Sequence, residues 1–209
     1  MTSDKVKKTF DRWARTGRAE LMEHEHTKSV QKFLNLISFD VPFSFLDVGC
    51  GNGWVVRKIA KMKLCKKAVG IDKSKNMIKI AKLKKKNSKE QFFQDDIQSW
   101  KYKGKFGYVF SMESLYYSES LDLAISKIFK LLKSGGQFFC GIDFYKDNKA
   151  TSGWSKQMKL QMHLYSKKQW KELFKKHGFK TKTKQIKDPH NKKRWRREFG
   201  TLFIIGTKE

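Results

Sequence analysis

Residues Phe45 to Trp54 read Phe-Leu-Asp-Val-Gly-Cys-Gly-Asn-Gly-Trp, an apolar strand running straight into a Gly-x-Gly-x-Gly turn. Such a turn lets backbone amides approach a ligand that side chains would hold off. Further on, Ala68-Val69-Gly70-Ile71 ends in Asp72, a carboxylate at the tip of a second strand. That pair predicts a nucleotide-like ligand at the carboxyl edge of a parallel sheet, with Asp72 gripping a ribose diol.

The spacing narrows the ligand. A dinucleotide fingerprint needs a third glycine for close helix packing, but the sixth position counted from Gly49 is Trp54. No Gly-Lys-Ser/Thr follows the turn, so a phosphate-cradling P-loop is excluded. Asp47, inside the strand, would repel a pyrophosphate and attract a cation. S-adenosylmethionine carries an ammonium, a sulfonium and no phosphate, so the electrostatics favour it.

The segment Phe45 to Gly53 resembles the first motif of class I S-adenosylmethionine-dependent methyltransferases of the type 11-like group. Val69-Gly-Ile-Asp-Lys-Ser74 is similar to the second motif, Phe92-Phe-Gln-Asp-Asp-Ile97 to the third, and Phe106 to Tyr117 to the fourth. Leu131 to Phe138 resembles the stretch before the fifth strand. The resemblance implies that Gly49, Cys50, Gly51 and Gly53 pass beneath the methionine part, where Asp47 orients the ammonium. It implies that Asp72 holds the ribose hydroxyls, Lys73 and Met77 border the adenine, and Asp96 with the Ile97 backbone meets the adenine amino group. Asp95 stands where the family usually has glycine, so either Asp95 or Asp96 is the adenine contact. Ser111 and Met112 are expected beside the reacting methyl. Gly107 replaces the usual Asp at the start of the fourth strand.

Methyl transfer is an in-line displacement, and the enzyme chiefly aligns nucleophile and methyl while excluding water. A base is needed only if the nucleophile must lose a proton. Glu113 and Tyr117 follow the fourth strand, and His26 lies in an N-terminal segment that lids the cofactor in similar methyltransferases; these three are the catalytic candidates. His24 and His26 fall on opposite sides of a helix and cannot share a metal, so no metal is expected. Trp154, Met158 and Met162 offer either core or pocket wall.

Around these residues, helices and strands alternate. Val6, Phe10, Trp13, Ala14, Gly17 and Leu21 form one helical stripe, and a second helical run covers about 27–37. Strand–helix units follow from residue 43. Ser74 is placed to cap one helix, Ser166 with Gln169 forms a capping box, and Gly178 ends that last helix. Two alternating strands close the chain. The expected fold is α/β: a doubly wound, Rossmann-like sheet of seven strands, mostly parallel, with a C-terminal antiparallel hairpin. Residues 1–40 are expected to form a helical lid and 41–209 the cofactor-binding domain.

Composition bounds the function less tightly. The 209 residues suit one domain, and 39% hydrophobics with 14% aromatics suit a packed core. No apolar run could span a membrane and the N-terminus has no signal-peptide core, so a cytoplasmic location without membrane contact is expected. Three cysteines with no Cys-x-x-Cys spacing suit a reducing compartment. Net charge is +27, which attracts nucleic acid, yet only 7 of the 47 basic residues are Arg. The segment 180–197 holds Lys182, Lys184, Lys192, Arg194 and Arg197 around Trp195, and is the best local argument for RNA. Against methylation of a base stands Ser111-Met-Glu-Ser114, where such enzymes often carry Asn-Pro-Pro-Tyr. The leading expectation is methyl transfer to a small molecule. RNA methylation is the second, and a non-catalytic binding module the third.

Overall fold

The computed structural model describes residues 2–209, with side chains from Asp4 onward. Seven strands form one sheet: β1 (Phe43–Val48), β2 (Cys65–Asp72), β3 (Glu90–Gln94), β4 (Phe106–Met112), β5 (Leu132–Ile142), β6 (Phe179–Ile186) and β7 (Thr201–Lys208). Their order is β3-β2-β1-β4-β5-β7-β6. The first five pair in parallel, and β7 runs antiparallel to both β5 and β6. The expected doubly wound sheet with its antiparallel closing pair is what forms.

Alternation along the strands builds two cores. Leu46 and Val48 of β1 face one side, with Val109, Phe138 and Trp170; Phe43 and Phe45 face the other, with Val56, Ile59 and Phe139. The first face is covered by α5 (Leu121–Leu131) and α7 (Lys167–Lys176). The second is covered by α3 (Trp54–Ala60), by α4 (Lys75–Leu83) and by the end of α2 (Arg18–Leu34). Phe33 of α2 stacks on Phe203 of β7 at 3.9 Å between centroids, and Val30 and Leu34 join the same core. The end of α2 is therefore built into the sheet that residues 41–209 form.

The N-terminal stripe does not run as one helix. α1 (Thr2–Arg15) stops at Thr16, Gly17 takes a left-handed φ of 74°, and α2 begins at Arg18. Apolar spacing continues through Gly17, but the missing side chain makes that point the cheapest place to turn. Ser74 caps α4 by accepting from the Met77 N–H, and Ser166 and Gln169 form the expected capping box of α7. At β5 the strand begins earlier than expected, at Leu132. The register with β4 slips between Phe106 and Tyr108, leaving Lys133 to Gly136 as a bulge. The irregular stretch after Ile142 contains a short helix, α6 (Trp154–Met158), and a five-residue π-helical turn at Trp195–Phe199 precedes β7.

Candidate active site

The sheet order reverses between β1 and β4, so helices leave on opposite faces and a crevice opens at the carboxyl ends of those strands. A cleft of about 530 Å³ lies there. Its floor is the turn after β1 and the ends of β2 and β4, and its roof is α1, α2, Trp154, Met158 and Trp195.

The turn is strung from Asp72. One oxygen of Asp72 accepts from the Gly51 N–H at 2.9 Å and the other from the Ser74 N–H at 2.8 Å. One carboxylate thus fixes the glycine turn and the entry to α4, and each oxygen keeps a lone pair for a ribose hydroxyl. Gly51 has φ 52°, and a Cβ built on it would meet nothing within 4 Å. Gly49 has φ 74°, and its Cβ would fall 1.8 Å from the Ser114 hydroxyl. The first glycine leaves space open for a ligand; the second lets β1 and the loop after β4 close together.

Asp47 is 2% exposed and lines the cleft; burial, then the Asp72 charge, pushes its pKa well up. Burial also raises Asp72. Two buried carboxylates that bind protons this tightly suit a cationic ligand, which would relieve their mutual repulsion. On the adenine side, Lys73 pairs with Asp96 at 2.5 Å, and Asp96 also accepts from the Gln98 N–H. Asp95 accepts from the Asp96 N–H at 2.7 Å. Lys73, Met77, Asp95, Asp96, Ile97, Cys50 and Met112 all line the cleft. Gly53 and Ser111 do not. Gly53 starts α3 against the Phe92 ring, and Ser111, fully buried, points to the face opposite Met112 by strand alternation. The Gly107 N–H, where the family motif has an Asp, is bonded to the Ser44 hydroxyl instead.

The far end of the cleft gathers the catalytic candidates. Glu113 follows β4 with a left-handed φ of 52°, a conformation that a non-glycine residue adopts at a cost and that clusters at functional sites. Its carboxylate accepts from Tyr116 Oη at 2.7 Å and from the Asp143 N–H. Burial, and then the Asp143 carboxylate, pushes the Glu113 pKa well up. Asp143, at the end of β5, is fully buried; Arg196 lies 3.6 Å and His26 3.9 Å from it. His26 lines the cleft, and burial, with Arg196 and Lys193 nearby, lowers its pKa to about 3. That favours the neutral imidazole at neutral pH. Tyr117 also lines the cleft, its ring edge-on to Phe10 of α1. His24 is exposed.

His24 and His26 share α2 but not the cleft, which only His26 lines. Across elements, ring and carboxylate atoms of His26, Glu113 and Asp143 come within 4.8 Å of one another. Arg196, 3.6 Å from Asp143, brings a positive charge to the same cluster. Asp143 and Arg196 were missed as site residues because they meet only in the folded chain. The basic segment is also tied down: Arg196 is 5% exposed, Lys193 pairs with Glu25, and Arg194 and Arg197 pair with Glu198. Trp195 packs perpendicular to Trp154 at 5.1 Å.

This geometry is that of a methyltransferase, and comparison with known proteins agrees. The chain belongs to the methyltransferase domain family, whose match covers residues 19–184, and its cofactor is S-adenosylmethionine. Among relatives, it is 32% identical over 117 residues to a ubiquinone biosynthesis O-methyltransferase of Pelagibacter ubique, covering 54% of this chain and 48% of that one. It is 27% identical over 133 residues to a malonyl-[acyl-carrier protein] O-methyltransferase of Priestia megaterium, covering 62% and 45%. The chain thus spans about half the length of these relatives. In fold, it is similar to a Haloferax volcanii methyltransferase solved in complex with the Trm112 methyltransferase activator (TM-score 0.89, 24% identity, 95% and 96% covered). It is also similar to the magnesium protoporphyrin IX methyltransferase of Synechocystis (TM-score 0.71, 16% identity, 100% of each chain covered). Among the described residues, no helix is long and apolar enough to cross a membrane.

Proposed function

We propose that this chain transfers the methyl group of S-adenosylmethionine to a small-molecule acceptor held at the Glu113 end of the cleft. One observation supports the reading: the residues expected at the cofactor and those at the Glu113 end line a single cleft whose roof is made by the chain's own α1, α2, Trp154 and Trp195. Asp47, the 49–51 turn, Asp72, Met77 and Asp96 would hold the cofactor. When bound, it supplies an electrophilic methyl carbon whose bond to sulfur breaks, the pair staying on sulfur, as the acceptor's lone pair bonds to that carbon. The protein's residues align the acceptor, exclude water, and give an acceptor proton a destination. Glu113 is the proton acceptor in this reading, and Tyr117 and Trp154 wall the acceptor space. Calorimetry with S-adenosylmethionine and its demethylated product tests the cofactor half. Product formation after adding small-molecule extracts, compared with added RNA, tests the acceptor half. Binding without turnover on any acceptor would leave a binding module.

RNA methylation is the second reading, favoured by Lys180, Lys182, Lys184 and Lys187, all exposed on or after the edge strand β6. An RNA substrate would bind with an affinity that falls steeply with salt. RNA-dependent turnover that disappears when these lysines become Gln would replace the small-molecule reading.

A further inference from the structure

The sign of charge inverts inside the molecule. A chain with 47 basic and 20 acidic residues lines its cleft with seven carboxylates and only four basic side chains. Asp47, Asp72, Asp95 and Asp96 belong to the cofactor half. The acceptor half keeps Glu113, with Asp143 directly behind it. Arg196 pairs with Asp143 at 3.6 Å, and among the described residues Glu113 is in no ion pair, so Glu113 is the carboxylate of the two without a cation of its own. Nothing donated to Glu113 is left for a ligand to exploit. The Tyr116 hydroxyl and Asp143 N–H are spent on its carboxylate, and Lys193 at the rim is held by Glu25. A ligand reaching this floor meets the Glu113 carboxylate and the His26 ring, while above it Tyr117, Trp154, Trp195, Phe10 and Met158 form an apolar wall, with the Arg18 guanidinium over the nearby Trp13 ring.

We propose that the methyl acceptor is an apolar primary or secondary amine, docked with its cationic nitrogen against the Glu113 carboxylate and the His26 imidazole. This rests on the small-molecule reading above. A carboxylate without a cation of its own matches one ammonium, whereas a carboxylate or phosphate acceptor would face repulsion and an alcohol would bring it no charge. Two positive centres, ammonium and sulfonium, must not face each other at transfer. The ammonium N–H bond breaks and its proton goes to Glu113; the freed nitrogen pair then bonds to the methyl carbon. The product is the N-methylated ammonium, with Glu113 protonated and the sulfur neutral, so total charge is unchanged. Burial beside Asp143 gives Glu113 the proton affinity this requires.

The test uses three probes with one ring and three head groups, phenethylamine, 2-phenylethanol and phenylacetate. They are titrated calorimetrically into the full chain saturated with S-adenosylhomocysteine at neutral pH. The amine should bind roughly ten-fold or more tighter than the alcohol, the difference one charge-assisted hydrogen bond makes, and phenylacetate should give no heat. Glu113→Gln and Asp143→Asn, each retaining S-adenosylhomocysteine affinity, should bring amine and alcohol to near parity. Equal binding of the three, preference for alcohol or acid, or an amine preference that survives both substitutions overturns the inference alone. So does stoichiometric binding of Mn²⁺ or Zn²⁺ that His26→Ala abolishes, because the cluster would then be a metal centre. Failure of S-adenosylhomocysteine itself to bind removes the methyltransferase reading, and the amine with it.

Discussion

Gly49 and Gly51 sit two residues apart and should fail differently when a methyl group is added. Both have left-handed φ, which costs a non-glycine residue about 1–2 kcal/mol. Gly49→Ala must also displace Ser114, whereas Gly51→Ala meets open cleft. Thermal unfolding should show Gly49→Ala as the less stable of the two, and calorimetry should show Gly51→Ala folded but weak in cofactor binding. The reverse order would mean that the turn has been assigned the wrong way round. His26 gives a pH prediction. Its folded pKa of about 3 lies below the unfolded 6.5, so the unfolded chain takes up the proton first as pH falls. Stability is intact above pH 6.5 and declines below it by about 1.4 kcal/mol per pH unit. Denaturant unfolding at pH 7 and pH 5 should show His26→Asn losing about 2 kcal/mol less than the parent over that interval. Glu113 has the opposite sign. Its raised pKa destabilises the fold as pH climbs above 4.5, so Glu113→Gln should be at least as stable as the parent at neutral pH while turnover is lost. A parent more stable than that variant would show the carboxylate to be structural.

Between elements, the contact that matters most for the cleft is α1 on α4. Asp11 of α1 accepts from the Ser74 hydroxyl at 2.6 Å and the Asn76 N–H at 3.1 Å, so one helix's side chain caps the next helix's first turn. Asp11→Ala should loosen α1, seen as faster amide exchange in residues 4–15, and weaken cofactor binding while α5 and α7 keep their protection. Uniform loss of protection would show that α1 belongs to the core. Contacts like this also mark how far the sequence could be read. Gly49 to Gly53, Asp72, the Ser74 cap and the Ser166 capping box were legible because each signal lies within a few residues of its partner. The mostly parallel sheet and its antiparallel closing pair followed from alternation, whereas the insertion of β7 between β5 and β6 did not. Gly17 was missed as a helix break because its apolar stripe continues on both sides. Asp143 and Arg196 were illegible as cleft residues for another reason, and Trp195, expected as an RNA contact, lines the cleft instead. Arg196 is 53 positions from Asp143 and 170 from His26, and no local pattern reports that distance.

Across the whole molecule, charge is divided between a lysine-covered exterior and an acidic cleft. Bulk RNA should bind the exterior through counterion release and be lost steeply as salt rises. It should leave S-adenosylhomocysteine affinity unchanged, because the cleft-facing basic segment is already paired. Competition between RNA and S-adenosylhomocysteine, measured by calorimetry at low salt, would instead join the two surfaces. Strand β7 has a different consequence. It occupies the slot between β5 and β6 although it comes after both in the chain. A ribosome-bound nascent chain therefore holds the sheet with a gap until β7 emerges from the exit tunnel, and the arginine beside Asp143 arrives only with the turn that leads into it. The acceptor end of the cleft, which takes Trp195 as wall and Arg196 as support, is therefore the last part to be assembled, after the cofactor half has been made.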